Sequence, residues 1–202
     1  MIALESIMSI PKSDLPAASK TLKIEDIRQL VEWLELKDDN IRCRAFLLLQ
    51  NRSLFYEDVY PHWDILLEKL KSGNSYQRSI GLMLIADNVK WDIENRIGDA
   101  IDECLLSLND EKPITIRQCI RALGKIASEK PELNDKIASG LISFDLTAVK
   151  ETMRKSILLD ILNVLLVIRQ DHNTDKMESF ILKALSGEIL DKKSKKDIEV
   201  LL

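Results

Sequence analysis

Arg42, Arg78, Arg117 and Arg154 recur along the chain at intervals of 36, 39 and 37 residues, and each opens an apolar run with helical spacing. That interval is the length of a two-helix repeat, whose apolar face is buried only when a neighbouring copy stacks on it. The runs read Ile41-Arg42-Cys43-Arg44-Ala45-Phe46, Gln77-Arg78-Ser79-Ile80-Gly81-Leu82, Ile116-Arg117-Gln118-Cys119-Ile120-Arg121-Ala122-Leu123-Gly124 and Met153-Arg154-Lys155-Ser156-Ile157-Leu158. In the first three, small or apolar residues stand three, six and seven places after the arginine, which makes one buried helical stripe. Gly81 and Gly124 fall in that stripe. A mid-helix glycine costs roughly 0.5–1 kcal/mol relative to alanine, so a close helix crossing is expected at each.

A further helix with period 3.6 precedes each run, over Ile24 to Leu36, Trp63 to Leu70 and Ile93 to Leu108. The links inside each pair, Lys37 to Asn40, Lys71 to Ser75 and Asn109 to Pro113, are short and polar, so partners pack as antiparallel hairpins. Asn40 and Ser75 are expected to cap helix starts, and Pro113 suits a first turn. Glu132 to Ile142 followed by a long helix from about Ala148 to Ile168 gives a fourth unit. A fifth begins near Thr174 and ends in a short charged helix at Leu202. Residues 1–20 form either an arm or a cap, and Ile2, Leu4, Ile7, Met8 and Ile10 favour the cap. The expected architecture is all-α: one domain over 1–202, a right-handed α-α superhelix of about five hairpins at 24–53, 60–89, 93–128, 132–168 and 174–202.

With 46% hydrophobic residues, six glycines and no convincing strand alternation, an all-helical body follows. The formal charge is −4, with 19 basic and 24 acidic side chains in residues 1–145 and ten and nine in the rest. Duplex binding draws much of its affinity from phosphate neutralisation, and this balance speaks against it. Periodic spacing could still gather Arg44, Arg78, Arg121, Arg154 and Lys155 on one side. No apolar run approaches the length of a membrane span, and Met1 to Ile10 lacks the basic lead of a signal peptide, so a cytoplasmic location is expected. Cys43, Cys104 and Cys119 are too widely spaced for a local metal motif and read as reduced, buried thiols.

No phosphate loop, dinucleotide fingerprint, nucleophile elbow or paired-histidine metal motif is present, and no catalytic residue, cofactor or metal is expected. In His62-Trp63-Asp64 the aspartate is explained by a helix start after Pro61. The four arginines sit in first turns close to link acids such as Asp38, Asp39 and Asp110, and a structural ladder joining repeats suits the guanidinium fork. Asn51, Asp87 and Asn163 stand nine places after their arginines, and Ser156, Asp160 and Asn163 share one helical face. These five polar residues are the candidate groove or partner-binding set.

The pattern of an apolar residue, arginine, a small residue and a later leucine-glycine pair resembles the HEAT-repeat family of armadillo-type α-solenoids. Ile116-Arg117, Ala122, Leu123-Gly124 and Ile126 carry it best, with Ile41-Arg42, Ala45, Arg78 and Gly81 as partial matches. Arg154 is kept, but Ile157 replaces the small residue and Asp160-Ile161 replaces the leucine-glycine pair. The resemblance implies a non-enzymatic scaffold or adaptor that binds another protein through a concave surface; separately, a monomer or a weak homodimer paired through the fifth repeat at Leu201-Leu202 is expected. Its alternative is a DNA-binding protein similar to HEAT-like alkylation-repair glycosylases, for which Trp63, Trp91, Asp87, Asp92 and Arg154 are the right residue types. The net negative charge and the absence of a basic tract are read as weighing against that alternative.

Overall fold

The structure, a computed structural model, describes residues 2–202, which form twelve α-helices joined by short links and 3-10 turns, with no strand among the described residues. Two compact units divide the chain, Met1–Arg96 and Ile97–Leu202.

The first unit contains α1 (Leu4–Ser9), α2 (Leu15–Ser19), α3 (Ile24–Trp33), α4 (Asp39–Ser53), α5 (Trp63–Glu68) and α6 (Ser75–Asn88). Helices α3 and α4 pair, as do α5 and α6, and α4 packs on α6. Ile27, Leu30, Val31, Leu48, Leu49, Trp63, Leu66, Ile80, Leu84 and Ile85 fill the interior. The two short N-terminal helices lie on α4, where Ile7 and Leu15 are buried. Helix ends leave carbonyls short of local donors, and α4 supplies further ones here. Arg44 Nη1 donates to the carbonyls of Ile7 (3.1 Å) and Ile10 (2.5 Å), and Arg52 Nη1 to those of Ser19 (3.1 Å) and Lys20 (3.0 Å). Arg52 also forks onto Asp58 and lies 3.6 Å from the Tyr56 ring centroid.

The second unit contains α7 (Arg96–Leu106), α8 (Pro113–Glu129), α9 (Asn134–Ile142), α10 (Glu151–Arg169), α11 (Asp175–Ser186) and α12 (Lys192–Glu199), with Arg96 at its border. The 3-10 turn Ser107–Asn109 that continues α7 packs on α8, α9 pairs with α10, and α8 lies along α10. Helix α11 meets α9 and α10, while α12 meets α10. Second helices therefore stack on second helices within each unit, as hairpin packing requires.

Local chemistry moves several boundaries from where periodicity alone sets them. Helix α4 is capped by Asp38, whose carboxylate accepts from the amides of Asn40 (2.8 Å) and Ile41 (3.2 Å), and α6 by Asn74, which accepts from Tyr76 N at 2.9 Å. Asn40 and Ser75 are thus already inside their helices. Helix α7 begins at Arg96 rather than Ile93, because Asn95 turns the chain with φ 57° and Asp92 accepts from Arg96 N at 2.9 Å. Helix α10 begins at Glu151 because Asp145 first organises a 3-10 turn over Leu146–Ala148. Pro113 opens α8 as expected.

Both stripe glycines lie where helices touch. A Cβ on Gly81 would meet the carbonyl oxygen of Leu66 on α5 at 2.7 Å, and one on Gly124 would meet Val164 Cγ2 on α10 at 2.9 Å.

Candidate partner-binding groove

The recurring arginines do not share one environment. Arg42 Nη1 donates to Leu36 O (3.1 Å), Arg78 Nη1 to Ser72 O (2.7 Å), and Arg154 to Val149 O (3.3 Å) and Thr147 O (3.4 Å). Each of these three clips the link of its own hairpin, where carbonyls leave the first helix without donors. Arg42 also pairs with Asp39 and lies 4.5 Å from the Tyr76 ring of α6. Arg117 instead crosses to the next second helix and pairs with Asp160 of α10 at 2.5 Å, which holds its guanidinium pKa above the usual value.

The five candidate polar residues are not gathered into one site. Asn51 donates to Leu47 O within α4 at 2.7 Å, and buried Asp87 accepts from Gln50 Nε2 at 2.8 Å, tying α6 to α4. On α10, Ser156 donates to Met153 O, Asp160 is held by Arg117 and Arg121, and Asn163 is exposed. The possible basic row is likewise engaged: Arg44 on α1, Arg121 on Asp160, Lys155 on Asp191, and Arg78 and Arg154 on links.

Of the residues named for the base-excising alternative, Trp63, Asp87 and Asp92 are buried, and Trp91 and Arg154 are half-buried. Trp63 is buried, with its ring 5.6 Å from that of Tyr60. Trp91 Nε1 donates to Ser53 O at 2.9 Å. Asp92 is buried and accepts from Tyr60 Oη at 2.7 Å; burial, and then this bond, push the Tyr60 hydroxyl up to about 12. His62 titrates below its ordinary value through burial and the Arg28 charge, while His172 pairs with Asp135 at 2.7 Å in the other unit. No group of three or more potential ligands that could hold a metal occurs among the described residues.

What the second unit leaves open is apolar. A groove of about 760 Å³ runs between the α9–α10 link and α11, with Ile142, Leu158 and Ala184 in its lining and the aromatic rings of Phe144 and Phe180 beside Leu146 and Ile189. A smaller cavity of about 340 Å³ shares Ile142, Asp175 and Lys176 with it. The link wall is fixed from both ends. Asp145 accepts from Thr147 N (2.8 Å) and Thr147 Oγ1 (2.7 Å), bonds that hold its carboxyl below the usual range, and Arg154 grips the carbonyls of Thr147 and Val149. The fourth arginine of the repeat thereby serves the groove without lining it. The α11 wall starts at Thr174, which accepts from Met177 N at 3.3 Å. Periodicity did not reveal this feature, because Phe144 and Leu146 lie in a link rather than on a helical stripe.

A short basic tract also escaped the composition. Lys192, Lys193, Lys195 and Lys196 occupy four of five consecutive positions at the start of α12, inside a segment whose net charge is near zero.

No protein-family model matches the chain, and no curated protein matches it. Among solved structures, it is similar to the crystal structure of an engineered protein, a Northeast Structural Genomics Consortium target, with a TM-score of 0.61 and 19% sequence identity over 98% of this chain and 85% of that one. At that identity the likeness concerns the fold alone. It agrees with an all-α architecture of helices packed in hairpin-like pairs. No helix is long and apolar enough to cross a membrane, among the described residues.

Proposed function

We propose that this chain is a non-enzymatic binding module of the HEAT-like kind, about five helical hairpins in a right-handed α-α superhelix, which holds another protein in the cytoplasm. The observation that carries this reading is the groove beside α11. It is large, open, and walled by Phe144, Leu146 and Phe180, whereas the tryptophans and acids that chemistry would draw on are consumed by packing and hydrogen bonds. Aromatic side chains at a fixed concave surface provide apolar area at small entropic cost, which is how a few residues come to dominate a protein interface.

The test is capture of a partner by the tagged full chain, followed by calorimetry with the purified partner. Phe180→Asp should abolish binding while leaving far-UV circular dichroism unchanged. Binding to duplex DNA that weakens steeply with salt, with release of an alkylated base, would refute the reading in favour of the glycosylase alternative.

A further inference from the structure

The groove's own lining is not basic: Asp145, Asp175 and Glu188 stand against Lys176 and Lys183, and the bonds from Thr147 keep Asp145 ionised. Beyond them the chain runs from Ile189 in the lining to Lys192 in three residues, at most about 11 Å. The side chains of Lys192, Lys193 and Lys196 are exposed and have no hydrogen-bond or ion-pair partner among the described residues. Asp197 and Glu199 follow in the last turn of α12.

Lys192 and Lys193 are unfavourably placed for the helix, whereas Lys196 lies in its last turn, where a cation is favoured. Amide dipoles place partial positive charge at the helix start, so cations in the first turn are disfavoured and acids preferred there. Asp191 offsets part of this by capping Ser194 N at 2.8 Å, but it is itself bound to Lys155 of α10. A helix that buries only Ser194 and Ile198 of its own residues does not need lysine at the first two positions for packing. A partner that neutralises them would relieve the repulsion.

From this juxtaposition we infer that the groove takes an acidic amphipathic segment of the partner protein, its apolar side chains seated between Phe144 and Phe180 and its carboxylates on Lys192, Lys193 and Lys196. The inference rests on the groove being the partner site and adds the chemistry of what enters it. Apolar anchors supply affinity, and the lysines set which sequences are accepted and how fast they arrive.

The test pans a random dodecapeptide display library on the full chain and measures the enriched peptides by fluorescence anisotropy against three proteins: wild type, the triple variant Lys192→Glu/Lys193→Glu/Lys196→Glu, and Phe180→Asp. Ile189→Asp replaces the last should it fail to fold. Expected are peptides pairing Asp or Glu with Leu, Ile or Phe at helical spacing, weakened about tenfold or more by the lysine reversal and by raised salt, and lost in the groove variant. Enrichment of neutral or basic peptides, no enrichment, or an affinity within about threefold after reversal would overturn the inference. The groove reading survives those results if Phe180→Asp still abolishes capture of the native partner, and falls with them if it does not. Two control arms use phosphatidylcholine–phosphatidylserine vesicles and a labelled single-stranded oligonucleotide. Tighter binding of either through the same lysines would also overturn the inference.

Discussion

Asp160 should be the most costly single polar residue to remove from the second unit. It stands where the repeat pattern calls for leucine, its side chain is 10% exposed, and it receives Arg117 Nε at 2.5 Å and Arg121 Nη2 at 3.2 Å, both from α8. Breaking a buried pair by deleting one partner costs about 3–5 kcal/mol, whereas an exposed pair contributes about 1 kcal/mol or less. The Arg117 side chain is 24% exposed and the Arg121 side chain 52%, so the first contact lies toward the buried limit and the second toward the exposed one. Asp160→Ala should therefore cost about 3 kcal/mol and Arg121→Ala under about 1. Asp160→Asn, which keeps one acceptor, should fall between them. In a chain of this length about 3 kcal/mol lowers Tm by roughly 6–12 °C. Urea denaturation followed at 222 nm gives the free energies, and a double-mutant cycle should find stronger coupling for Asp160 with Arg117 than with Arg121. Arg117→Met with Asp160→Leu should recover most of the loss, because an apolar pair of similar volume leaves no stranded charge. Equal costs for the two arginines, or a cost below about 1 kcal/mol for Asp160→Ala, would refute the assignment of Arg117–Asp160 as the stronger of the two ion pairs between α8 and α10.

Gly81→Ala should destabilise more than Gly124→Ala, and Gly73→Ala should be near neutral: the first added methyl meets a backbone carbonyl, the second the tip of Val164, the third nothing within 4 Å. Overpacking of this kind costs about 1–3 kcal/mol, and Val164→Ala should rescue only the second variant. Asp191 is held well below its usual pKa by Lys155 and the Ser194 amide, so it stabilises the folded state above its unfolded pKa and loses that contribution as pH falls through the lower folded value. The stability difference between wild type and Asp191→Asn should thus be constant near neutral pH and shrink below about pH 4 in urea melts at stepped pH. Burial pushes the Cys104 thiol up to about 12 and Cys119 also well above its usual value, while Cys43 is half-buried. Native alkylation at pH 8 should therefore mark Cys43 first, with Cys104 and Cys119 following far more slowly, and label all three at similar rates only in denaturant.

The fold was legible where one physical signal acted alone. The arginine interval and the stripe of Ala45, Gly81 and Leu123 located the second helices, and the glycines marked crossings that the Leu66 carbonyl and Val164 now explain. Legibility failed where short-range hydrogen bonding competes with periodicity. Ile24 and Ile93 fit an apolar pattern and are both exposed, the first beside the Lys23–Asp26 cap and the second in the turn set by Asn95 and Asp92. The Asp38 cap fixed the start of α4, and the 3-10 turn capped by Asp145 pushed α10 beyond the start that hydrophobic spacing gave it.

The groove was hidden for a related reason. In a hairpin array the stripe residues are spent on neighbouring hairpins, so whatever remains for a partner must come from positions the stripe does not use. Phe144 and Leu146 are such positions: apolar side chains in a link, where polar ones would otherwise carry the turn. Their presence costs the free chain exposed apolar area, and Asp145 and Arg154 hold them in place rather than letting the link collapse onto α10. The same holds for Lys192 and Lys193, set in the helical turn least suited to cations. Two adjacent violations of local preference, one apolar and one electrostatic, have a common remedy in a segment that brings both apolar side chains and negative charge, which is why the groove and the lysine tract are read together as one recognition surface.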